Sequence, residues 1–371
     1  MNVLMIYEGM REGGGVQVHV LTLSKALRNL GIDVLLFPVS PLHSEETDLR
    51  LFLALLMQPL LCFVYGISAL RFMKETHIDL VHAHGARLPL VLGWLVSKAT
   101  RTPLVVTMHE AWTRANRLNP LYRKADKVIT VSEEIKVVLE CYGVDKTRLA
   151  CIPNMVEVDF SERASINHEG GYKLVFLGRL DPSKTGILMI ILDAIPRITQ
   201  ELPATQFWIV GSAGSKYHEV SKKVKEINEA LGRKAVYLLG YTKNVTGMIE
   251  KADLVIGVGR VALEALALGK PVIVGSAVKG SAFAGGLVTQ DNVDEIAESN
   301  FTGRDYSQVM NAQQVGKLIV DLLRDYAYRE TIGKFGRELI KAKFESGAIA
   351  SETASVYFEC LKKERSVRRS M

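Results

Sequence analysis

The segment ADLVIGVGRVALEALALGKPVIVG, residues 252–275, holds the residue types best spaced for chemistry. It reads as a buried strand, a glycine turn, a helix start and a second buried strand. Small residues at Gly257 and Gly259 leave the first N–H groups of the helix, around Arg260 and Val261, open to an anion. Arg260 adds a cation at the same place. Glu264, about one turn further on, offers a carboxylate to a hydroxyl. An anion site beside such a hook suits a phosphate or pyrophosphate carried on a ribose. The ligand implied is a nucleotide or a nucleotide-sugar.

Three other places add to this chemistry. GRLDPSK puts Arg179 and Lys184 five residues apart after a strand, where two cations can neutralise a diphosphate or simply pair with acids on a solvated loop. Gly13-Gly14-Gly15 follows the first strand and opens a helix, which permits close backbone approach to a ligand or only a flexible turn. His109 ends a strand in TMHE, a position open to a chemical role or to a hydrogen-bonded structural one. His82 and His84 are two apart on one strand with no evident third metal ligand, and no Asp-x-Asp pair offers to hold a divalent ion. No metal is expected. GVGRVA matches the glycine fingerprint of dinucleotide binding, but the next strand lacks the acidic residue that fingerprint needs, so no nicotinamide or flavin cofactor is expected.

These residues need elements to hold them. At 371 residues the chain fits two domains of about 150–180 residues each. Apolar strands at 3–7, 32–37, 79–84, 103–110, 127–133 and 149–154 alternate with helical patterns, the first helix at 16–31. A second series has strands at 172–181, 205–214, 234–241, 252–259 and 270–275, then helices at 312–325 and 326–361. Strands alternating with helices predict two doubly wound parallel sheets of the α/β class, which bind ligands at the carboxyl ends of their strands. The domains expected are 1–160 and 172–345, joined by a polar linker at 161–171 that ends in Gly-Gly, with a frayed basic tail at 362–371.

The net charge of +6 favours anionic ligands or an anionic membrane surface, and no motif supports nucleic acid as a partner. Cys62, Cys141, Cys151 and Cys360 have neither metal nor redox spacing and read as thiols of a reducing compartment. With no signal-peptide pattern at the start, the expected location is cytoplasmic. The apolar run 51–70 is near the length of a membrane span, but Gln58 and Pro59 interrupt it where a parallel sheet needs a crossover. It reads as helix buried in the domain, or as a surface lying on a membrane.

The motifs together resemble the GT-B fold glycosyltransferases, and within them glycosyltransferase family 4. GGGVQVHVLTLSKALRNLGIDV is similar to that family's opening glycine loop and first helix. DLVHAHG, TPLVVTMHE, ADKVITVSE and IPN follow in the family's order, FLGRLDPSK resembles its FxGRLxxxKG segment, and ALEALALGKPVI its LEAMALGKPVI segment. The resemblance implies two Rossmann-like domains facing across a cleft, with a final helix at 346–361 returning to the first domain. It assigns Arg179 and Lys184 to the donor diphosphate, with Gly259, Arg260 and Val261 at the helix start. Glu264 falls to the donor ribose, Gly14 and Gly15 to the space beside the diphosphate, and Gly211 and Tyr241 to the base. His109 is placed beside the donor sugar and its anomeric carbon.

The activity implied is hexosyl transfer from a nucleotide-sugar, UDP-linked first and GDP-linked second, to a glycan or lipid-linked hydroxyl acceptor. It implies retained stereochemistry, no metal or other cofactor, a role in cell-surface polysaccharide or glycolipid synthesis, and peripheral contact with the inner membrane face. The chain departs from the family where Ile256 replaces the first Glu of the E-(seven residues)-E motif, which leaves sugar and stereochemistry open. A GT-B sugar-nucleotide epimerase and a non-catalytic nucleotide-sugar-binding protein are the alternatives.

Overall fold

In the first strand, β1 (Asn2–Glu8), residues Val3 to Ile6 are fully buried, as in the interior of a parallel sheet. It is joined by β2 (Asp33–Val39), β3 (Leu80–His84), β4 (Leu104–Met108), β5 (Lys127–Thr130) and β6 (Leu149–Cys151). The order is β2-β1-β3-β4-β5-β6 and every pairing is parallel. The computed structural model describes all residues except 10–13, 40–63, 70, 72–75, 86, 111–119, 158–170, 279–281, 305 and 371, and describes only the backbone of 363–370. The Gly13 position, all of the linker but Gly171, and most of the apolar run 51–70 therefore lie outside the described residues; within that run, 64–69 are helical. Among the described residues no helix is long and apolar enough to cross a membrane.

The chain divides into two compact units, Met1–Met155 with Ser346–Met371, and Val156–Glu345. In the first, strand periodicity of two sorts the side chains. Leu4, Ile6, Val81, Ala83, Leu104 and Val106 face the helix Leu88–Thr100. Val3, Met5, Tyr7, Leu80 and Val105 face the other way, onto the helices Gly15–Asn29 and Ser346–Ser370. That second face is also the side of His82, His84 and Thr107, since His82 is in register with Met5 and Val105, and His84 with Tyr7 and Thr107.

The second unit holds β7 (Lys173–Leu177), β8 (Gln206–Val210), β9 (Val236–Gly240), β10 (Leu254–Ile256), β11 (Val272–Ala277), β12 (Ala282–Leu287) and β13 (Val309–Asn311), ordered β13-β12-β11-β10-β7-β8-β9. β11 through β9 are mutually parallel. One face packs on the helices Pro182–Glu201, Tyr217–Ala230 and Ala312–Arg324, the other on Arg260–Ala267 and Tyr326–Lys343.

Three expectations are corrected. The second sheet is not wholly parallel: β12 and β13 add an antiparallel edge. AFAGGL, the sequence of β12, has no β-branched residue and no polar alternation, so it gives little strand signal. The run 326–361 is not one helix, because Phe344 is buried in the core of the second unit and Glu345 bridges to Val156 before the last helix starts. The basic tail is not frayed in backbone; the helix continues to Ser370 through Lys, Glu and Arg, all good helix formers.

Candidate functional site

In the second unit, the proposed donor residues follow the carboxyl ends of adjacent parallel strands. Gly178 and Arg179 follow β7, Gly211 follows β8 and Tyr241 follows β9. Backbone bonds lock these ends together: Gly178 donates to the Val210 carbonyl, Leu180 to Ser212 and Gly211 to Gly240. A Cβ on Gly211 would lie 1.9 Å from the Gly178 carbonyl oxygen, so tight packing alone requires glycine there. Tyr241 is exposed.

Asp181 caps the helix Pro182–Glu201, its carboxylate accepting from the Ser183 N–H and hydroxyl. Arg179 Nε donates to Asp181 Oδ2 at 2.7 Å, and Lys184 stands in the first turn of the same helix. Burial works against ionisation of Asp181, but the bonds from Ser183 and Arg179 and the charges of Arg179 and Lys184 hold its carboxyl below the usual value. Arg179 already has a carboxylate partner.

Beyond β10 the chain turns at Gly257, whose N–H donates to the Ile273 carbonyl, and enters the helix Arg260–Ala267 through Gly259 at φ 58°. That left-handed conformation favours glycine. No side chain caps this helix and no acid lies in its first turn, so the helix start keeps its positive end uncompensated by a cap. Arg260 and Glu264 pair at 2.7 Å, and both are partly buried, as is Val261. Ile256 is the last residue of β10, fully buried and in register with Phe176 and Ile273. The strand continues where the resemblance places a carboxylate.

In the first unit, Gly14 is the N-cap of the helix Gly15–Asn29, again with no side-chain cap among the described residues and no acid in the first turn. No described atom lies within 4 Å of a Cβ built on Gly15, so no described neighbour requires glycine at that position. His109 is half-buried just past β4. It belongs to a group of histidines that sequence spacing did not bring together. His84 Nδ1 and His109 Nε2 are 3.2 Å apart, one ring donating and the other accepting. His19, from the helix Gly15–Asn29, stands against both, with ring centroids 5.7 Å from His84 and 4.8 Å from His109. His82 lies against His84 with ring centroids 4.0 Å apart and planes tilted by 39°, but bonds elsewhere, through Nδ1 to the Tyr357 hydroxyl at 2.6 Å and through Nε2 to Thr107 Oγ1 at 2.7 Å.

Burial keeps His82, His84 and His109 neutral. Desolvation pushes His109 down to about 4. Desolvation, then the charge of His109, pushes His82 to about 3. His84 lies well below the usual range, through burial and then its three histidine neighbours. At neutral pH His109 is a neutral imidazole with one N–H to give.

His19 and His109 stand beside His84, a grouping that the spacing of His82 and His84 along the chain does not show. His19 lies on the buried stripe of its helix, one turn before Leu23 and two before Leu27. A polar residue on an apolar stripe was the available signal.

Residues 13–160 match the family model described as Glycosyltransferase Family 4, and residues 171–300 that described as Glycosyl transferases group 1. The chain belongs to the family 4-like glycosyltransferases of the GT-B fold. It is similar to a phosphatidyl-myo-inositol mannosyltransferase of Mycobacterium tuberculosis, 31% identical over 221 residues, 53% of this chain and 56% of that one. The match therefore spans little more than half the length of that relative. An uncharacterised glycosyltransferase of Methanocaldococcus jannaschii is 26% identical over 93% of this chain and 95% of its own. Among solved structures, Anabaena HepE in complex with UDP and glucose superposes with a TM-score of 0.68 at 18% identity, covering 96% of this chain and 99% of that one. In this chain the residues named from sequence thus form two groups, one per unit: Gly14, Gly15 and His109 in the first, Arg179, Lys184, Gly211, Tyr241, Gly259, Arg260, Val261 and Glu264 in the second.

Proposed function

We propose that this protein transfers a hexosyl group from a nucleoside-diphosphate sugar to a hydroxyl acceptor, with retention. The observation that carries the reading is the shared carboxyl edge of the second sheet, where Arg179, Lys184 and the uncapped helix start at Arg260 all stand. Breaking the anomeric C–O bond builds negative charge on the departing diphosphate. Arg179, Lys184 and the N–H groups at Arg260 and Val261 stabilise that charge in place of a metal ion. Glu264 accepts from a ribose hydroxyl, the exposed ring of Tyr241 and the backbone at Gly211 meet the base, and Gly14 and Gly15 leave room beside the diphosphate.

His109, neutral at working pH, donates a hydrogen bond to a hydroxyl of the sugar and orients its anomeric carbon. The leaving β-phosphate takes the acceptor proton, and no covalent sugar–enzyme intermediate forms. With Ile256 buried in the strand, no carboxylate from that position reaches the sugar, so this donor relies on other groups for that contact. A UDP-sugar is the first donor to try, since HepE was solved with UDP and glucose, and a GDP-sugar the second.

A lipid-linked or glycan acceptor in cell-surface polysaccharide or glycolipid synthesis fits the mannosyltransferase relative, whose name specifies a phosphatidyl-inositol substrate. The net charge of +6 suits peripheral work at the inner, anionic face of a membrane from the cytoplasm.

The test is a thermal-shift panel of UDP, GDP, ADP, dTDP and NAD with and without Mg²⁺, followed by product NMR with the matching sugar. A metal-independent rise in melting temperature with one diphosphate supports the reading through linkage. No rise with any diphosphate, or a rise with NAD alone, overturns it.

A further inference from the structure

His19, His84 and His109 each bring one ring nitrogen to within 4.8 Å of the others, from a helix and from the ends of two adjacent strands. We infer that this trio is a binding site for a borderline divalent transition-metal ion, zinc above all, and that the ion and the transferred sugar compete for His109. The second clause rests on the transferase reading; the first does not.

The geometry supports an ion as well as a hydrogen bond. The separation of His84 Nδ1 and His109 Nε2 is 3.2 Å. In a tetrahedral site with Zn–N bonds of about 2.0–2.1 Å, neighbouring nitrogens lie about 3.3–3.4 Å apart. Three imidazoles with no carboxylate in the trio suit zinc, nickel or copper rather than magnesium or calcium, which take oxygen ligands. Three ligands also leave a fourth position for water or an anion.

The surroundings are built rather than incidental. His84 is fully buried, and while its Nδ1 meets His109, its Nε2 has no hydrogen-bond partner among the described residues. His82 lies tilted against His84 and is itself fixed on both nitrogens by Tyr357 and Thr107, which holds the His84 ring from behind. His109 is half-buried, which leaves the ion a way in. Nothing in the spacing of these residues along the chain announces this site; it is made by one buried helix stripe meeting two strand ends.

The experiment is isothermal titration of zinc chloride into chelator-washed full-length protein, kept reduced because Cys141 is exposed, with His19→Gln and His84→Gln alongside. The expected result is one zinc per chain at neutral pH, no binding of magnesium, and affinity at least tenfold weaker in His19→Gln with an unchanged melting curve. Cobalt in place of zinc gives the intense visible absorption of a tetrahedral site, lost in the same variant. If His84→Gln does not fold, His19→Gln decides alone. Absence of a stoichiometric zinc, or undiminished binding in His19→Gln, overturns the site. Because binding is read without substrate, a protein that takes up zinc through His19 yet transfers no sugar counts against the transferase reading alone. In active protein, zinc raises the apparent KM for donor; zinc-bound protein with unaltered donor KM overturns the competition.

Discussion

Arg260 Nε donates to Glu264 Oε1 at 2.7 Å, one turn along the same short helix. The carboxylate assigned to the donor ribose is thereby held by the cation assigned to the diphosphate. The pair arrives oriented, so a nucleotide meets a fixed carboxylate rather than a mobile one. Replacing Glu264 with Gln removes the charge and keeps the shape. UDP affinity, measured calorimetrically, is expected to fall about tenfold, the worth of roughly one charge-assisted hydrogen bond. Unchanged affinity removes Glu264 from the donor site.

Arg179 is exposed on one side and paired with Asp181 on the other. If it stabilises the leaving diphosphate, Arg179→Ala lowers kcat by about 10²–10³, as loss of a preorganised donor to a developing charge does elsewhere. Lys184→Ala acts in the same direction. Steady-state kinetics on both variants check this, and near-normal turnover in Arg179→Ala sinks the diphosphate assignment.

Gly211 has a structural reason to be glycine, since a Cβ would run into the Gly178 carbonyl. Gly211→Ala is therefore expected to destabilise the second unit by about 1–3 kcal/mol, the usual range for overpacking. For a domain of this size each kcal/mol lowers the melting temperature by about 2–4 °C. A variant that melts like the wild type but no longer binds UDP assigns Gly211 to the base contact instead.

The buried histidines make stability depend on pH. Unfolding exposes them to water, where they take up protons below about pH 6.5. Folded, His109 protonates only near 4 and His82 near 3. Between pH 6.5 and about 4 the unfolded chain binds more protons than the folded one, so stability falls as pH falls through that window. Each imidazole so withheld contributes up to about 1.4 kcal/mol per pH unit. Denaturation midpoints from pH 7.5 to 4.5 should drop steadily in the wild type and less in His82→Gln at matched starting stability. An equal slope in both shows that His82 is not among the groups responsible.

Tyr357 joins the last helix to His82, 275 residues earlier in the chain, at the centre of the first unit. Tyr357→Phe keeps the packing but leaves His82 Nδ1 buried without its partner. The expected loss is about 1–3 kcal/mol, read by urea denaturation. A variant as stable as the wild type shows that the hydroxyl adds nothing to the attachment of this helix.

Local pattern carried the sheets and the donor group into view from sequence. Apolar runs of strand length alternating with helices predict parallel sheets, and a parallel sheet puts its binding residues just past the carboxyl ends of its strands. Arg179, Gly211, Tyr241 and Glu264 could therefore be placed by counting along the chain. The pair Arg260–Glu264 was equally legible, because residues four apart on a helix meet. What the chain order could not reveal depends on packing between distant segments. Period two puts His82 and His84 on the same face, but only the helices laid on that face decide that His82 meets Tyr357 and His84 meets His19 and His109. The antiparallel edge at β12 and β13 was hidden for a related reason: a glycine-rich strand has little preference of its own and takes its conformation from β11 beside it. Fold class and family could be read along the chain, as could the positions of the residues proposed for the donor, because these rest on local period and spacing. The meeting of His19, His84 and His109, and of His82 with Tyr357 275 residues away, came only with the packed chain, because burial and proximity between distant segments belong to the fold and not to any segment of it.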